Sequence, residues 1–204
     1  MHAGDVAPFD TFARLYDLFM PSADRATLQR GLDKAERSLD RVVDVGGGPG
    51  RAVRELDAEW RLVVDPARGM LARARTHGLQ AVQGDGARLP LADASVDAVL
   101  VTDALHHIGD QRGVLRDAER VLRPGGLLLV REFDPETIRG RGLVLAEHLV
   151  GFDSVFHGPD ALAADIARAG LRASVVERGF TYTVVGVKRA ESEQAKSAQS
   201  EFDL

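Results

Sequence analysis

Short apolar runs alternate with amphipathic stretches from residue 41 onward, and this alternation predicts the elements of the fold. Runs of four to seven residues rich in β-branched side chains are typical of strands buried in a parallel sheet. They predict strands at residues 41–45, 61–64, 80–83, 96–102 and 127–132, with helices at 51–57, 68–77 and 113–122. The alternation favours parallel βαβ units with right-handed crossovers, and therefore a doubly wound α/β fold.

The two ends of the chain have different patterns. After Pro159, apolar residues at helical spacing and a closing Gly170 predict one more helix, followed by strands at 174–178 and 181–187 that form an antiparallel hairpin. Residues 190–204 are rich in Glu, Ser, Gln and Lys, so a mobile tail is expected there. In residues 9–33 we expect a helical cover, because its aromatic residues fall at spacings of three and four, at Phe9, Phe12, Tyr16 and Phe19.

A glycine-rich turn follows the first predicted strand. The run Val42–Val45 leads directly into Gly46, Gly47, Gly48 and Gly50, and glycines permit backbone angles and close approaches that a Cβ atom would block. A dinucleotide fingerprint would place Gly or Ala where this chain has Arg51, so nicotinamide cofactors fit poorly. The spacing Asp-x-Gly-x-Gly-x-Gly, beginning at Asp44, does fit.

Two further acidic segments follow in order along the chain. The second strand ends in Asp65, where a carboxylate can accept hydrogen bonds from ribose hydroxyls, and the next residues run from Pro66 to a helix containing Met70. A later block reads Gly-Asp-Gly-Ala-Arg-Leu-Pro-Leu-Ala-Asp-Ala-Ser-Val-Asp-Ala-Val over residues 84–99. Residues 105–108 (Leu-His-His-Ile) and 122–126 (Leu-Arg-Pro-Gly-Gly) complete the series.

These motifs, in this order over residues 41–134, resemble those of the class I S-adenosylmethionine (SAM)-dependent methyltransferases, and in particular their type 11 members. The resemblance implies a single Rossmann-like domain over residues 1–189. Its seven-stranded sheet would have the order 3-2-1-4-5-7-6 and an antiparallel last strand. It also implies SAM as the cofactor and S-adenosylhomocysteine as its product.

The resemblance assigns cofactor roles to particular residues. Asp44 would contact the methionine end of SAM, Asp65 the ribose, and Asp85 the adenine amine, while a backbone N–H of Gly86 or Ala87 would serve a ring nitrogen. Asp44 could instead only hold the glycine loop, and Asp85 could only cap a turn. The full predicted cofactor set is Tyr16, Asp44, Gly46, Gly47, Gly48, Gly50, Asp65, Pro66, Met70, Asp85, Gly86, Ala87 and Thr102.

Candidate catalytic residues lie outside the glycine loop. His106 and His107 follow the fourth strand, where substrate and cofactor meet in this family, and one of the two is expected to be structural. Residues 134–158 are expected to form a lid that carries His148 beside an acid. The predicted catalytic residues are therefore His106, His148 and Tyr16, with a histidine as general base if the acceptor is a phenol or an activated ring. Arg131 and Glu132 are interpreted as solvated or ion-paired.

Composition limits the remaining possibilities. A chain of 204 residues suits one domain, and its lack of cysteine excludes disulfides and thiolate metal ligands. A formal net charge of -5 gives no basic surface for nucleic acid, which favours a small-molecule substrate. No membrane span or signal peptide is evident, so a cytoplasmic monomer or homodimer is expected. No metal is predicted, because the sulfonium of SAM is already an activated electrophile.

Within this family, the chain resembles the subgroup of quinone-ring C-methyltransferases. The resemblance rests on Tyr16-Asp17, on residues 122–126 and on Arg-Glu-Phe-Asp-Pro at 131–135. The segment 136–156 is shorter than in that subgroup and lacks its Tyr- and Pro-rich insertion. The predicted function is therefore methyl transfer to carbon, oxygen or nitrogen of a small molecule, with quinone-like and aromatic molecules as the candidate acceptors. A non-catalytic SAM-binding subunit or regulatory module is the alternative.

Overall fold

One sheet runs through the described part of the chain, residues 25–149 and 151–190 of the computed structural model. Its seven strands are β1 (Arg41–Val45), β2 (Trp60–Asp65), β3 (Gln80–Gln83), β4 (Val96–Thr102), β5 (Leu122–Phe133), β6 (Arg172–Glu177) and β7 (Thr181–Val187). Their order across the sheet is β3-β2-β1-β4-β5-β7-β6, which confirms the predicted fold class. The first five strands run parallel, whereas β7 is antiparallel to both β5 and β6.

Five α-helices connect or flank these strands within the described residues. They are α1 (Arg25–Leu32), α2 (Arg68–Thr76), α3 (Gln111–Val121), α4 (Ile138–Leu149) and α5 (Pro159–Arg168). The side chain of Asp110 caps α3 by accepting a hydrogen bond from the backbone N–H of Gly113, and Pro159 begins α5 at the position where a missing N–H costs nothing. None of the described helices is long and apolar enough to cross a bilayer.

Both faces of the sheet are buried, which explains why its inner strands are almost continuously apolar. Val42 and Val43 are both fully buried but belong to separate apolar clusters, because neighbouring side chains of a strand point to opposite faces. Leu28 of α1 and Leu71 of α2 belong to the cluster of Val42. The cluster of Val43 contains side chains of α3 and α5, so helices cover both faces.

The predicted helix at residues 51–57 is wrong. Only a short 3-10 turn forms there, at Val53–Glu55, and Leu56 is already extended. The turns of the glycine loop occupy the residues up to 52, so little length remains before the chain must reach β2. Val53 and Leu56 are buried within that length, which favours one tight turn over a regular helix.

The predicted N-terminal cover at 9–33 is described only from residue 25. Tyr16 and the aromatic stripe around it lie outside the described residues, as do residues 191–204 of the predicted tail. Helix α1 packs on the sheet through Leu28, Gly31 and Leu32. A Cβ atom on Gly31 would lie 2.5 Å from Leu129 Cδ1, so this glycine lets the helix approach β5 closely.

Asp97 is a buried acid at the amino end of β4 and is held by several donors. Asp97 is 1% exposed, accepts a hydrogen bond from the Arg41 backbone N–H (2.8 Å) and pairs with Arg37 and Arg123. Asp97→Asn should lower the free energy of unfolding by about 1–3 kcal/mol, because it removes one charge from a largely buried network.

Denaturant unfolding of this variant measures the loss. The matched control is Asp93→Asn, whose side chain is 80% exposed beside Arg120 and should change stability by less than about 0.5 kcal/mol. Equal effects of the two substitutions would contradict this account of Asp97.

Candidate active site

The glycine loop lies packed between the ends of β2 and β4. Its first backbone N–H, from Gly46, donates to the Val64 carbonyl (2.8 Å), and Gly46 has a φ of +65°. A Cβ atom on Gly46 would lie 2.7 Å from the Cβ of Ala104. Glycine is therefore required here for two reasons: the backbone angle, and the close approach of residues 103–107, which follow β4 and are called the β4 exit below.

Asp65 holds this loop to β2. It is 3% exposed, and its two carboxylate oxygens accept hydrogen bonds from the backbone N–H groups of Gly48 (3.0 Å) and Ala67 (2.8 Å). A carboxylate has about four lone-pair sites, so ribose hydroxyls can still bind it. The interpretation from sequence, which gave Asp65 only a ribose-binding role, missed its role in shaping the loop.

Asp44 lies beneath the loop and is completely buried. Neither carboxylate oxygen accepts a hydrogen bond of normal geometry among the described residues. Burial raises the pKa of Asp44 to about 7; the facing Val53 N–H and the charge of Arg51 oppose this rise, whereas the charge of Asp65 adds to it. A buried carboxyl without a partner is costly, and a donor or cation from a ligand would satisfy it.

Space for a ligand lies at the carboxyl ends of β1, β2 and β3. A cleft of about 300 Å³ is lined by Val45, Gly46, Val64, Pro66, Gln83, Gly84, Asp85, Gly86 and Ile108. A smaller depression lies on the other side of the loop, between Gly47, Gly48 and Thr102. The structure thus brings most of the predicted cofactor residues around one continuous edge of the sheet, as expected for a parallel α/β fold.

The remaining predicted cofactor residues differ in exposure. Asp85 is exposed and accepts a hydrogen bond from the Ala87 backbone N–H (3.0 Å), so it shapes its own turn while one oxygen stays available. Met70 is buried, and its sulfur lies 3.6 Å from the position of a Cβ atom on Gly48. A Cβ atom on Gly50 would overlap Leu79, so Gly50 serves packing.

His106 is buried at the β4 exit and is held by Glu132 of β5. The His106 Nδ1 lies 2.6 Å from Glu132 Oε2, while Glu132 Oε1 accepts the backbone N–H of Leu105 (2.7 Å). Burial disfavours the charged ring, but Glu132 and then Glu147 outweigh that effect and raise the pKa of His106. Burial likewise opposes ionisation of Glu132, but His106 and the backbone donors lower its pKa overall.

The predicted lid covers this histidine with Glu147, not with His148. The Glu147 Oε1 lies 3.6 Å from His106 Nε2, whereas His148 is exposed and its Nδ1 contacts the Val144 carbonyl of its own helix (2.7 Å). The segment after α4 continues the cover, because the Phe156 ring stacks on His106 with 4.5 Å between ring centroids. The arrangement gives no support to His148 as a base.

Sequence reasoning gave Glu147 no role and interpreted Glu132 only as solvated or ion-paired, whereas Glu132 is buried and pairs with His106. For Glu132 a signal existed, since Leu128 and Val130 face one apolar cluster and period-two alternation directs Glu132 to that same face. An acid at a core-facing position is rarely a solvated one. Glu147 carries no such signal, because its approach to His106 depends on where α4 lies.

Comparison with known proteins agrees with this geometry. A family model described as "Methyltransferase domain" matches residues 43–130. Demethylmenaquinone methyltransferase from Mycobacterium sp. (strain KMS) is 35% identical over 154 residues, or 70% of this chain and 65% of the relative. The one from Mycolicibacterium paratuberculosis is 35% identical over 160 residues, or 72% and 67%.

A solved structure shows the same fold. It is a SAM-dependent methyltransferase from Thermotoga maritima, described as a possible histamine N-methyltransferase, with a TM-score of 0.76 and 22% identity over 90% of this chain and 99% of that one. The fold is therefore that of the class I methyltransferases. This chain belongs to the SAM-dependent methyltransferase family, and it spans about two thirds of the length of the demethylmenaquinone methyltransferases that it matches.

The residues present fit SAM, the cofactor that this family implies. The loop leaves a cradle that a side chain on Gly46 would fill, and Asp44 presents a buried carboxyl in need of a donor. When bound, SAM supplies a methyl group on a positively charged sulfur.

The raised pKa of Asp44 predicts a pH-dependent stability. The unfolded chain ionises this group above about pH 3.8 and the folded chain only above about 7, so the group makes folding less favourable as pH rises between these values. Asp44→Asn should therefore stabilise the ligand-free protein more at pH 8 than at pH 5. The limiting gain at pH 8 is on the order of 4 kcal/mol, at about 1.4 kcal/mol per pKa unit.

Thermal unfolding at the two pH values measures this difference. The control is Asp57→Asn, an exposed position where the same substitution should change little at either pH. A destabilised Asp44→Asn protein at pH 8 would show that the carboxylate is satisfied in the free protein.

Proposed function

We propose that this chain is an active methyltransferase that moves the methyl group of SAM to a ring of a small, quinone-like acceptor. The proposed acceptor class is supported by a group of aromatic side chains at the β4 exit, beside the glycine loop. The Phe156 ring stacks on the His106 ring. The ring centroids of Phe152 and His107 lie 5.2 Å apart, and those of Phe133 and Phe180 lie 5.3 Å apart. A group of stacked and tilted rings favours a flat aromatic partner.

The relatives' names support the same acceptor class. Two relatives at 35% identity are named demethylmenaquinone methyltransferases. The family model matches residues 43–130, which include the glycine loop and the β4 exit. The formal net charge of -5 also favours a small molecule over nucleic acid. We extend the proposal to a cytoplasmic location.

The chain's own residues would have two tasks. Asp44, Asp65 and Asp85 would bind the methionine, ribose and adenine parts of the cofactor, and the glycine loop would bring its backbone close to it. Residues 134–158, together with Tyr16, would cover the acceptor and exclude water, since orientation and water exclusion are the main contributions a protein makes to such a transfer. His106 would lie at the acceptor side of this space.

Methyl transfer to a defined acceptor tests the proposal. The full chain is incubated with methyl-labelled SAM and a short-chain demethylated naphthoquinol, with histamine as an amine acceptor in parallel, and products are identified by mass spectrometry. A labelled ring carbon is the expected result. Label on the amine alone would overturn the acceptor class, and SAM binding without transfer to either would favour a non-catalytic module.

The aromatic group gives a separate prediction. Phe156→Leu should raise the KM for the naphthoquinol about 2- to 10-fold while the Kd for SAM stays unchanged, because an aromatic contact contributes about 0.5–1.5 kcal/mol. Trp60→Phe is the matched control, since Trp60 stacks with Arg41 at the opposite end of the parallel strands. A change in SAM affinity instead of KM would place Phe156 at the cofactor.

A further inference from the structure

Three side chains that can bind metal ions meet beside the β4 exit. They are His106 and His107 of the 3-10 turn Leu105–His107 and Glu147 of α4, and their potential ligand atoms all lie within 4.8 Å of one another. His106 is 3% exposed and His107 is 7% exposed. Two imidazoles and one carboxylate are a ligand set that divalent transition metals bind well.

Glu132 orients the His106 ring so that its Nε2 is the nitrogen available to bind an ion. The Glu132 Oε2 lies 2.6 Å from the His106 Nδ1, and a carboxylate oxygen accepts, so Nδ1 carries the proton and donates it in this hydrogen bond. In the neutral ring the lone pair is then on Nε2, which faces Glu147. Metal-binding histidines are commonly oriented in this way by a carboxylate on the other nitrogen.

The contact between His106 and Glu147 has the spacing of two ligands to one ion. The 3.6 Å from Nε2 to Glu147 Oε1 is longer than a hydrogen bond. Two atoms bound at about 2.0–2.1 Å to a tetrahedral zinc ion lie roughly 3.4 Å apart. The other oxygen of Glu147, Oε2, is buried with no hydrogen-bond partner among the described residues, so this carboxylate has unused binding capacity directed into the protein.

The surroundings of the cluster resemble those of a built metal site. His107 Nδ1 lies 3.2 Å from the hydroxyl of buried Ser154, which orients that ring. Phe156 stacks on His106 and Phe152 packs against His107, so apolar rings limit the access of water. Such a shell strengthens the attraction between a cation and the carboxylates around it.

We propose that His106, His107 and Glu147 form a mononuclear site for a divalent transition-metal ion, with zinc as the best match, and that Glu132 is its positioning residue. Calcium and magnesium are disfavoured, because they prefer oxygen ligands. Three protein ligands leave a coordination position for water or for an oxygen of a bound molecule. The ion would also join α4 to the β4 exit, because its ligands come from both.

Zinc titration of the full, tag-free chain after chelator treatment tests this site. Competition with a chromophoric chelator should give one zinc ion per chain, cobalt should give visible d–d bands, and zinc should raise the melting temperature. Glu132→Gln should weaken zinc binding about 10- to 100-fold. Glu147→Gln should weaken it at least as much, and neither should show the full rise in melting temperature with zinc.

The matched control is His148→Gln, which alters the exposed neighbour of Glu147 and should leave zinc affinity unchanged. Magnesium should neither compete with zinc nor raise the melting temperature. The proposal is overturned if the unmodified chain binds no zinc at micromolar concentration. It is also overturned if His148→Gln, and not Glu147→Gln, removes binding, because the ion would then occupy a surface site.

Discussion

The candidate site depends on how buried carboxylates at the carboxyl ends of the parallel strands find hydrogen-bond donors. Asp65 at the end of β2 accepts the N–H groups of Gly48 and Ala67, and thereby sets the position of the glycine loop. Glu132 in β5 accepts hydrogen bonds from the Leu105 backbone N–H and from the Nδ1–H of the His106 ring, and thereby sets the position of the β4 exit. Asp44 at β1 is the exception, with no donor of normal geometry among the described residues. We infer that a ligand completes it.

Direct contacts connect the glycine loop to the β4 exit and to the lid. Gly46 and Ala104 are in close approach, so the loop that would hold the cofactor packs directly on the exit that leads to His106. From His106 the contacts continue to Glu147 and Phe156 in the lid. Asp103, in the same exit, has a φ of +51°, and both of its carboxylate oxygens accept from Nη1 of Arg131. Backbone in this conformation often accompanies function.

Much of the fold could be predicted from the sequence, and so could the residues at the edge of the sheet around the glycine loop, because both follow from short local patterns. Alternating apolar runs located all seven strands of the described residues, and residues 44–50 identified the loop. The predicted helix at residues 51–57 was wrong because helical periodicity does not show how many residues the turns of the glycine loop occupy. Glu147 could not be predicted, since its neighbour His148 has the more reactive side chain and only the position of α4 distinguishes them.

The central claim, that Asp44 is the carboxyl a ligand completes, is tested most directly by the protons exchanged when SAM binds. Calorimetry at pH 7 in two buffers of different ionisation enthalpy counts them. With a pKa of about 7 in the free protein, Asp44 should release about half a proton as the cationic methionine end binds, and Asp44→Asn should abolish that release and weaken affinity. Equal affinity and equal proton release in the two proteins would contradict the account.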